Sequence, residues 1–253
     1  MGEEPSRSPG GGTNAMNRGD ILAHRGLLSG ADSALENRFE TLVQALGEGF
    51  GVETDVRYCT DRGRHYLSHD PAFWTSENDA FRFLESCRRH PGQVVALNLK
   101  DLGGLPTLLG RISDLDLWGH LFLFDMELIE PVPGETARAL QDFDSRSRIA
   151  ARVSERDEPV ERAAGCPFTD RVWLDEFDGP WASQATFQEL ARAGKPVWAV
   201  SPDLHGRSLQ ESRGRWGELL AWGTRGICTD HPLELARCLE LEASAGIGWK
   251  PSP

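Results

Sequence analysis

Residues 94–126, VVALNLKDLGGLPTLLGRISDLDLWGHLFLFDM, carry the unit from which the fold is read. VVALNLK at 94–100 and LFLFDM at 121–126 are short apolar runs of strand length, and 105–112 between them reads as helical. Strand, helix and strand in that order predict parallel strands joined by a right-handed crossover. Toward the N-terminus the alternation repeats. ILAH at 21–24 reads as a strand, and 34–47 places Leu35, Phe39, Leu42, Val43 and Leu46 at helical spacing before Gly49 and Gly51. VETDV at 52–56 is the second strand; 57–69 reads as a hairpin around Asp61-Arg62-Gly63, and 77–89 as a helix. Toward the C-terminus, helical 136–143, 159–164, 183–193 and 210–221 precede IAARV (149–153), RVWLDEF (171–177), VWAVS (197–201) and GICTD (226–230). Ser183 is placed to cap its helix, Gly194 to stop it, and 232–242 is the last helix.

Eight strand candidates, each followed by a helix candidate, predict a single α/β domain, a (β/α)8 barrel of the TIM type, over 19–245. An open doubly wound sheet is the rival. His24-Arg25-Gly26 follows the first strand where that fold usually carries G-x-G-x-x-G, and there is no P-loop. Residues 1–18, rich in Gly, Pro and Ser, read as a disordered tail, and 246–253 as a frayed end.

The 253-residue chain has a net charge of −12, which argues against nucleic acid as a partner. No apolar run approaches the roughly 18 residues of a membrane span, and the N-terminus lacks a signal-peptide core, so stable membrane insertion is not expected. The five cysteines are scattered without a C-x-x-C pair and read as reduced thiols of a cytoplasmic protein.

In a barrel, function gathers at the C-terminal ends of the strands. Those ends supply His24, Arg25, Glu53, Asp55, Asn98, Lys100, Asp125, Arg152, Asp175, Ser201 and Asp230. Glu53 and Asp55, two apart on a strand, share a face. They repel unless a cation lies between them, and oxygen ligands suit Mg2+ or Ca2+. Ion pairs with Arg25 or Arg152 are the plainer reading. His24 and His69 are candidates for proton transfer, and Arg25 and Lys100 for holding a phosphate. Glu36-Asn37 caps the first helix or braces the His24 loop, and Asp175 and Asp230 read as strand-end braces. His205 lies just past a strand, in a position to touch substrate. Tryptophans such as Trp173, Trp198 and Trp222 read as packing residues.

AHRG at 23–26, EN at 36–37, GVETDV at 51–56 and SHDP at 68–71, with TDHP at 229–232, together resemble the glycerophosphodiester phosphodiesterase family, within the phosphatidylinositol phospholipase C-like phosphodiesterases. The resemblance implies a (β/α)8 barrel and a metal-dependent hydrolysis of a small phosphodiester to an alcohol and a phosphomonoester. It carries the general acid/base pair onto His24 and His69, the phosphate-contacting cations onto Arg25 and Lys100, and two metal ligands onto Glu53 and Asp55. The family places a third ligand, a Glu, two residues before the lysine; here that position is Asn98, as in a subgroup with N-x-K. An amide oxygen binds a hard cation without adding charge. Asp125 is the alternative third ligand. Two other readings stand beside this one: a catalytically silent barrel that binds a phosphorylated ligand or a partner protein, and a phospholipase-type lipid phosphodiesterase, which needs an apolar lip. Pro71 to Trp74 offer a small one.

Overall fold

The structure, a computed structural model, describes residues 16–156 and 158–245. Most of the expected tail, residues 1–15, and the expected frayed end, 246–253, lie outside the described residues. Met16 and Arg18, assigned to the tail by composition, instead meet the barrel. Met16 packs on its apolar core, and the Arg18 guanidinium lies 4.6 Å from the centre of the Phe50 ring.

Strands and helices alternate as β1 (Ile21–Ala23), α1 (Phe39–Gly47), β2 (Gly51–Cys59), β3 (Arg64–Leu67), α2 (Ala80–Cys87), β4 (Val95–Leu99), α3 (Leu105–Asp114) and β5 (Leu121–Phe124). They continue as α4 (Glu135–Phe143), β6 (Ala150–Val153), α5 (Val160–Gly165), β7 (Arg171–Leu174), α6 (Gln184–Arg192), β8 (Val197–Val200), α7 (Leu209–Ala221), β9 (Gly226–Thr229) and α8 (Pro232–Ala245). The strands pair in parallel in the order β5-β4-β2-β1-β9-β8-β7-β6. One parallel bridge, Leu123 to Ile149, joins the two ends of that order and closes the (β/α)8 barrel. β3 lies off this path, antiparallel to β2, and completes the expected hairpin.

The ends of the expected elements shift by a few residues, with one larger difference. The first helix starts at Phe39 rather than 34. Asn37 adopts a left-handed φ of 57°, which breaks the helix, and Leu35, counted in the apolar stripe, is exposed. The Ser183 cap forms as expected, its hydroxyl accepting the Thr186 N–H.

Side chains that alternate along each strand divide the core in two. One set points inward and fills the barrel with Leu22, Ala96, Phe122, Phe124, Ala150, Trp173, Trp198, Val200 and Cys228. At the lower end the Arg171 guanidinium lies against the rings of Phe122 and Trp198, at 4.9 and 5.0 Å. Gly226 admits the Trp198 indole, since a Cβ there would lie 2.5 Å from the ring. The other set meets the helices, as do Leu97 and Leu99 on one side and Val172 and Leu174 on the other. All five cysteines are unpaired.

Trp216 on α7 is fully buried in the helix–barrel layer, and its indole N–H donates to the Ser201 hydroxyl at 2.7 Å. Trp216→Ala is expected to cost about 3–5 kcal/mol, the usual range for emptying an aromatic site. Denaturant unfolding followed by far-UV circular dichroism measures it as a lower midpoint at unchanged slope.

Candidate active site

The β2–β4 ladder sets Glu53 opposite Ala96 and Asp55 opposite Asn98, and the β4–β5 ladder sets Asn98 opposite Phe124. Alternation therefore turns Glu53, Asp55 and Asn98 toward the barrel axis, above the aromatic interior. All three are buried, Glu53 and Asp55 almost completely. Ala23 pairs with Val52 and with Thr229, so the next residue, His24, falls between Glu53 and Asp230. Its Nε2 lies 3.9 Å from a Glu53 oxygen, and its Nδ1 lies 2.7 Å from Asp230 Oδ1.

A carboxylate only accepts, so Nδ1 donates to Asp230 and the neutral ring presents Nε2 as its basic nitrogen. Burial on its own lowers the imidazole pKa. The Asp230 hydrogen bond and the Glu53 charge outweigh burial, and the net shift is upward.

Asp55 is held by more partners than Glu53. Arg25 Nε lies 3.1 Å from Oδ2 and Lys100 Nζ 3.2 Å from Oδ1. Asn37 donates to Oδ2 at 2.9 Å, while its own amide oxygen accepts the Thr54 hydroxyl at 2.7 Å and the Asp55 N–H at 3.0 Å. Burial pushes the Asp55 pKa up, but Lys100, Arg25 and the Asn37 hydrogen bond, with a smaller share from His69, hold it below the usual carboxylate range. Glu53 behaves in the opposite way. Burial first, and the Asp55 charge second, push it up to about 7 against the pull of His24, Arg25 and Lys100. Two adjacent buried carboxylates thus share too little positive charge for both to ionise freely.

Arg25, at a φ of 51°, also donates its backbone N–H to Glu53 at 3.2 Å and is held by Glu36 at 2.6 Å. Arg25 Nε, Asp55 Oδ1 and Asn98 Oδ1 are buried and have no hydrogen-bond partner. The two ion pairs at Asp55 are close but not aligned for hydrogen bonding.

His69 follows β3 in a half-exposed position, with Asp70 at 3.1 Å and its carbonyl fixed by the Arg57 guanidinium. The backbone N–H of Ser68 donates to the Asp55 carbonyl, which ties this loop to the same strand end.

Asp125, the alternative third ligand, stands elsewhere. Phe124 takes the inward place beside Asn98, and Asp125, in a left-handed conformation, pairs with Arg152 at 2.5 Å. Arg152 also binds Glu158 and Asp175, both at 2.9 Å, so Arg25 rather than Arg152 serves Asp55. Of the two roles expected of Asn37, a helix cap or a brace of the His24 loop, the brace forms: its N–H donates to the Arg25 carbonyl at 2.9 Å, and Arg38 stands at the cap position. Its buried link to Thr54 and Asp55 is the part that the sequence reading missed. Its signal is an Asn at the break between the first turn and α1, where a left-handed residue is favoured. Among the described residues no group of three or more His, Cys, Asp and Glu side chains is arranged to hold a metal ion.

Asn37 combines a left-handed backbone with three side-chain hydrogen bonds, and the two contributions separate by substitution. Asn37→Ala is expected to cost about 2–4 kcal/mol, from unsatisfied buried partners and backbone strain together. Asn37→Gly relieves the strain alone and recovers about 1 kcal/mol of that. Urea unfolding of the two variants beside wild type measures both terms.

No family model matches the chain. A curated relative, a tyrosine recombinase XerD-like protein of Streptococcus uberis, is 22% identical over 199 residues, 78% of each chain. Among solved structures, a glycerophosphodiester phosphodiesterase from Parabacteroides distasonis superposes with a TM-score of 0.61 at 12% identity, over 90% of this chain and 99% of that one. An Oleispira antarctica phosphodiesterase in complex with the product sn-glycerol-3-phosphate gives 0.56 at 14% identity, over 87% and 96%. A mutant tryptophan synthase α-subunit from Pyrococcus furiosus gives 0.52 at 15% identity, over 92% and 100%. At these identities the structural likeness shows the fold, a (β/α)8 barrel that phosphodiesterases and a synthase subunit share.

Proposed function

We propose that the protein is a metal-dependent phosphodiesterase that hydrolyses a glycerophosphodiester or related small phosphodiester. The observation that carries this reading is the convergence of His24, Glu53, Asp55, Asn98, Arg25 and Lys100 on one end of the barrel. A purely binding barrel has no need of a histidine held by a buried aspartate next to a pair of crowded carboxylates.

The donor set fits a hard divalent cation. Glu53 and Asp55 supply carboxylates, and Asn98 Oδ1, buried without a hydrogen-bond partner and in register with Asp55, supplies a third oxygen. Mg2+ or Ca2+ suits oxygen ligands of this kind. Asp125 is not needed as a ligand, since it is committed to Arg152. Such a cation, when bound, neutralises charge on a non-bridging phosphate oxygen.

The protein's own groups do the rest in this proposal. Arg25 and Lys100 hold the phosphate and stabilise the charge that develops on it. His24 Nε2 takes the proton of the attacking hydroxyl, with Asp230 stabilising the imidazolium that forms. His69, half-exposed on its loop, returns a proton to the departing alkoxide. A tyrosine-centred reaction is not favoured. Tyr66 is buried and accepts the Ala72 N–H through its hydroxyl, and Tyr58 packs over Gly103 and Gly104.

The unpaired cysteines agree with a reducing, cytoplasmic setting. Among the described residues no helix is long and apolar enough to cross a membrane. One observation favours the lipid phosphodiesterase as a second reading. Phe73, 92% exposed, stands out from the loop after β3 that also carries His69, and Leu128, Ile129 and Val132 from the loop after β5, at the barrel end that carries the site. Trp74 does not join them, because its indole N–H turns in to Asp79.

Chelator-stripped protein assayed with Mg2+, Ca2+ and Mn2+ against soluble glycerophosphodiesters and a lysophospholipid tests the function and separates the two readings. Activity that needs added cation is expected. His24→Ala and His69→Ala are each expected to cut turnover by about 10²–10⁴-fold, the span of positioned proton transfer, at little change in cation affinity. Near-normal rates in both variants would overturn the acid/base assignment.

Asn98→Glu tests the third ligand. It adds a charged oxygen beside Asp55, and affinity in oxygen sites follows ligand charge. Calorimetric titration is expected to show tighter Mg2+ or Ca2+ binding, lost again when Asp55→Ala is added. Unchanged affinity would place Asn98 outside the ligand set.

A further inference from the structure

The far side of the same barrel end carries a second histidine–aspartate pair. His205 sits on the short 3-10 turn Pro202–His205 that follows β8, and its Nε2 lies 2.6 Å from Asp175 Oδ1. The other Asp175 oxygen is held by Arg152 at 2.9 Å. The His205 ring lies 4.9 Å from that of Phe177. The same turn supplies Asp203, which accepts the backbone N–H of Asp230 at 2.9 Å and the Thr229 hydroxyl at 3.0 Å. Asp230 in turn holds His24. One turn therefore connects the brace of His24 to the pair on the other side. Both sides face one axis: the inward Cys228 thiol is pushed up by burial and by the charges of Glu53, Asp230, Asp203 and Asp175 together.

We propose that His205 and its Asp175–Arg152 support form the subsite for the alcohol esterified to the phosphate, and that this alcohol is a neutral polyol. The inference rests on the phosphodiesterase reading. The chemistry of the subsite selects the class. Because Asp175 can only accept, Nε2 donates, and the neutral ring offers Nδ1 as an acceptor. Among the described residues Nδ1 has no hydrogen-bond partner. A hydroxyl donates to it; a quaternary ammonium cannot.

A buried ammonium of any kind also needs a carboxylate free to pair. Asp175 is engaged through both oxygens, and Asp125 and Glu158 are bound to the same Arg152. The aromatic face that could receive a quaternary cation is taken as well, since Arg152 and Arg156 lie 5.1 and 4.2 Å from the Phe177 centroid. An anionic alcohol finds the nearby guanidinium groups engaged in the same way, Arg152 by three carboxylates and Arg156 by Asp178.

The test is a matched series of sn-glycerol 3-phosphate diesters whose second alcohol is glycerol, inositol, ethanolamine, serine or choline, assayed with Mg2+. The glycerol and inositol diesters are expected to exceed the others by about tenfold in kcat/KM, chiefly through KM, as one added hydrogen bond gives. His205→Phe keeps a ring against Phe177 and is expected to collapse that ratio. His205→Gln, whose amide oxygen still accepts, is expected to retain part of it. Thermal unfolding shows that each variant is folded, and His205→Gln alone serves if the Phe variant is not. A preference for choline, ethanolamine or serine, or a ratio unchanged in folded variants, overturns the inference. If wild type cleaves none of the diesters, the phosphodiesterase reading fails on its own, and calorimetric binding of the glycerol and choline diesters takes over. A preference for the glycerol diester that His205→Phe removes supports the subsite; equal affinities, or no binding, overturn it.

Discussion

Two carboxylates on one strand face, Glu53 and Asp55, are the constraint around which this end of the barrel is organised. Burying a charge without a partner costs far more than a domain's marginal stability can absorb. Each neighbouring loop brings something to Asp55: Arg25 after β1, Asn37 before α1, and Lys100 after β4. Two of these residues accept a left-handed backbone to reach their places, Arg25 at 51° and Asn37 at 57°. Strain in non-glycine residues persists only where surrounding contacts over-determine it. Here those contacts are the Glu53 and Glu36 bonds to Arg25 and the three hydrogen bonds of Asn37. Burial, and then the Asp55 charge beside it, push the Glu53 carboxyl up to about 7, while the groups gathered on Asp55 hold that carboxyl below its usual range.

The Arg152 cluster solves a similar problem with a different outcome. One buried guanidinium meets Asp125, Glu158 and Asp175, and lies 5.1 Å from the centre of the Phe177 ring. A buried network of this kind is weak evidence for stability, because desolvation offsets most of the attraction. Its clearer consequence is positional. Asp175 cannot rotate without breaking its bond to Arg152, so the imidazole of His205 is fixed in direction. The β5–β6 seam, which closes the barrel through a single backbone bridge, is reinforced by the ion pair between Asp125 after β5 and Arg152 on β6.

Most of the fold was legible because alternation of short apolar runs and helical segments is a local signal, and eight repeats of it leave few topologies. The start of α1 was not. Leu35 continues the apolar spacing, yet Asn37 is drawn out of helical geometry by Thr54 and Asp55, which lie on another strand. The site was legible where strand alternation decides it. Glu53, Asp55 and Asn98 face one axis because they stand two apart on β2 or in register on β4. It was not legible where pairing depends on which loop folds over which strand. Nothing in the composition distinguishes Arg25 from Arg152 as the partner of Asp55, or sends Asp125 to Arg152 rather than to the carboxylate pair.

Unsatisfied groups gather around Asp55. Three of the nine buried side-chain polar atoms without a hydrogen-bond partner, among the described residues, are Arg25 Nε, Asp55 Oδ1 and Asn98 Oδ1. An acceptor pair and a donor left this way in a folded interior call for a physical reason. Packing does not supply one, since Asn98 could be a Leu or a Val in an ordinary strand without loss of ladder or burial. In the Arg152 cluster every carboxylate that touches the guanidinium is hydrogen-bonded to it, and the one buried unsatisfied oxygen beside it is Oε2 of Glu127, whose Oε1 accepts the Arg152 N–H. Local consistency is expected to fail where a protein works on something other than itself. Three such groups stand beside Glu53, Lys100 and His24, and in the proposed function a phosphate and a hard cation would complete the set.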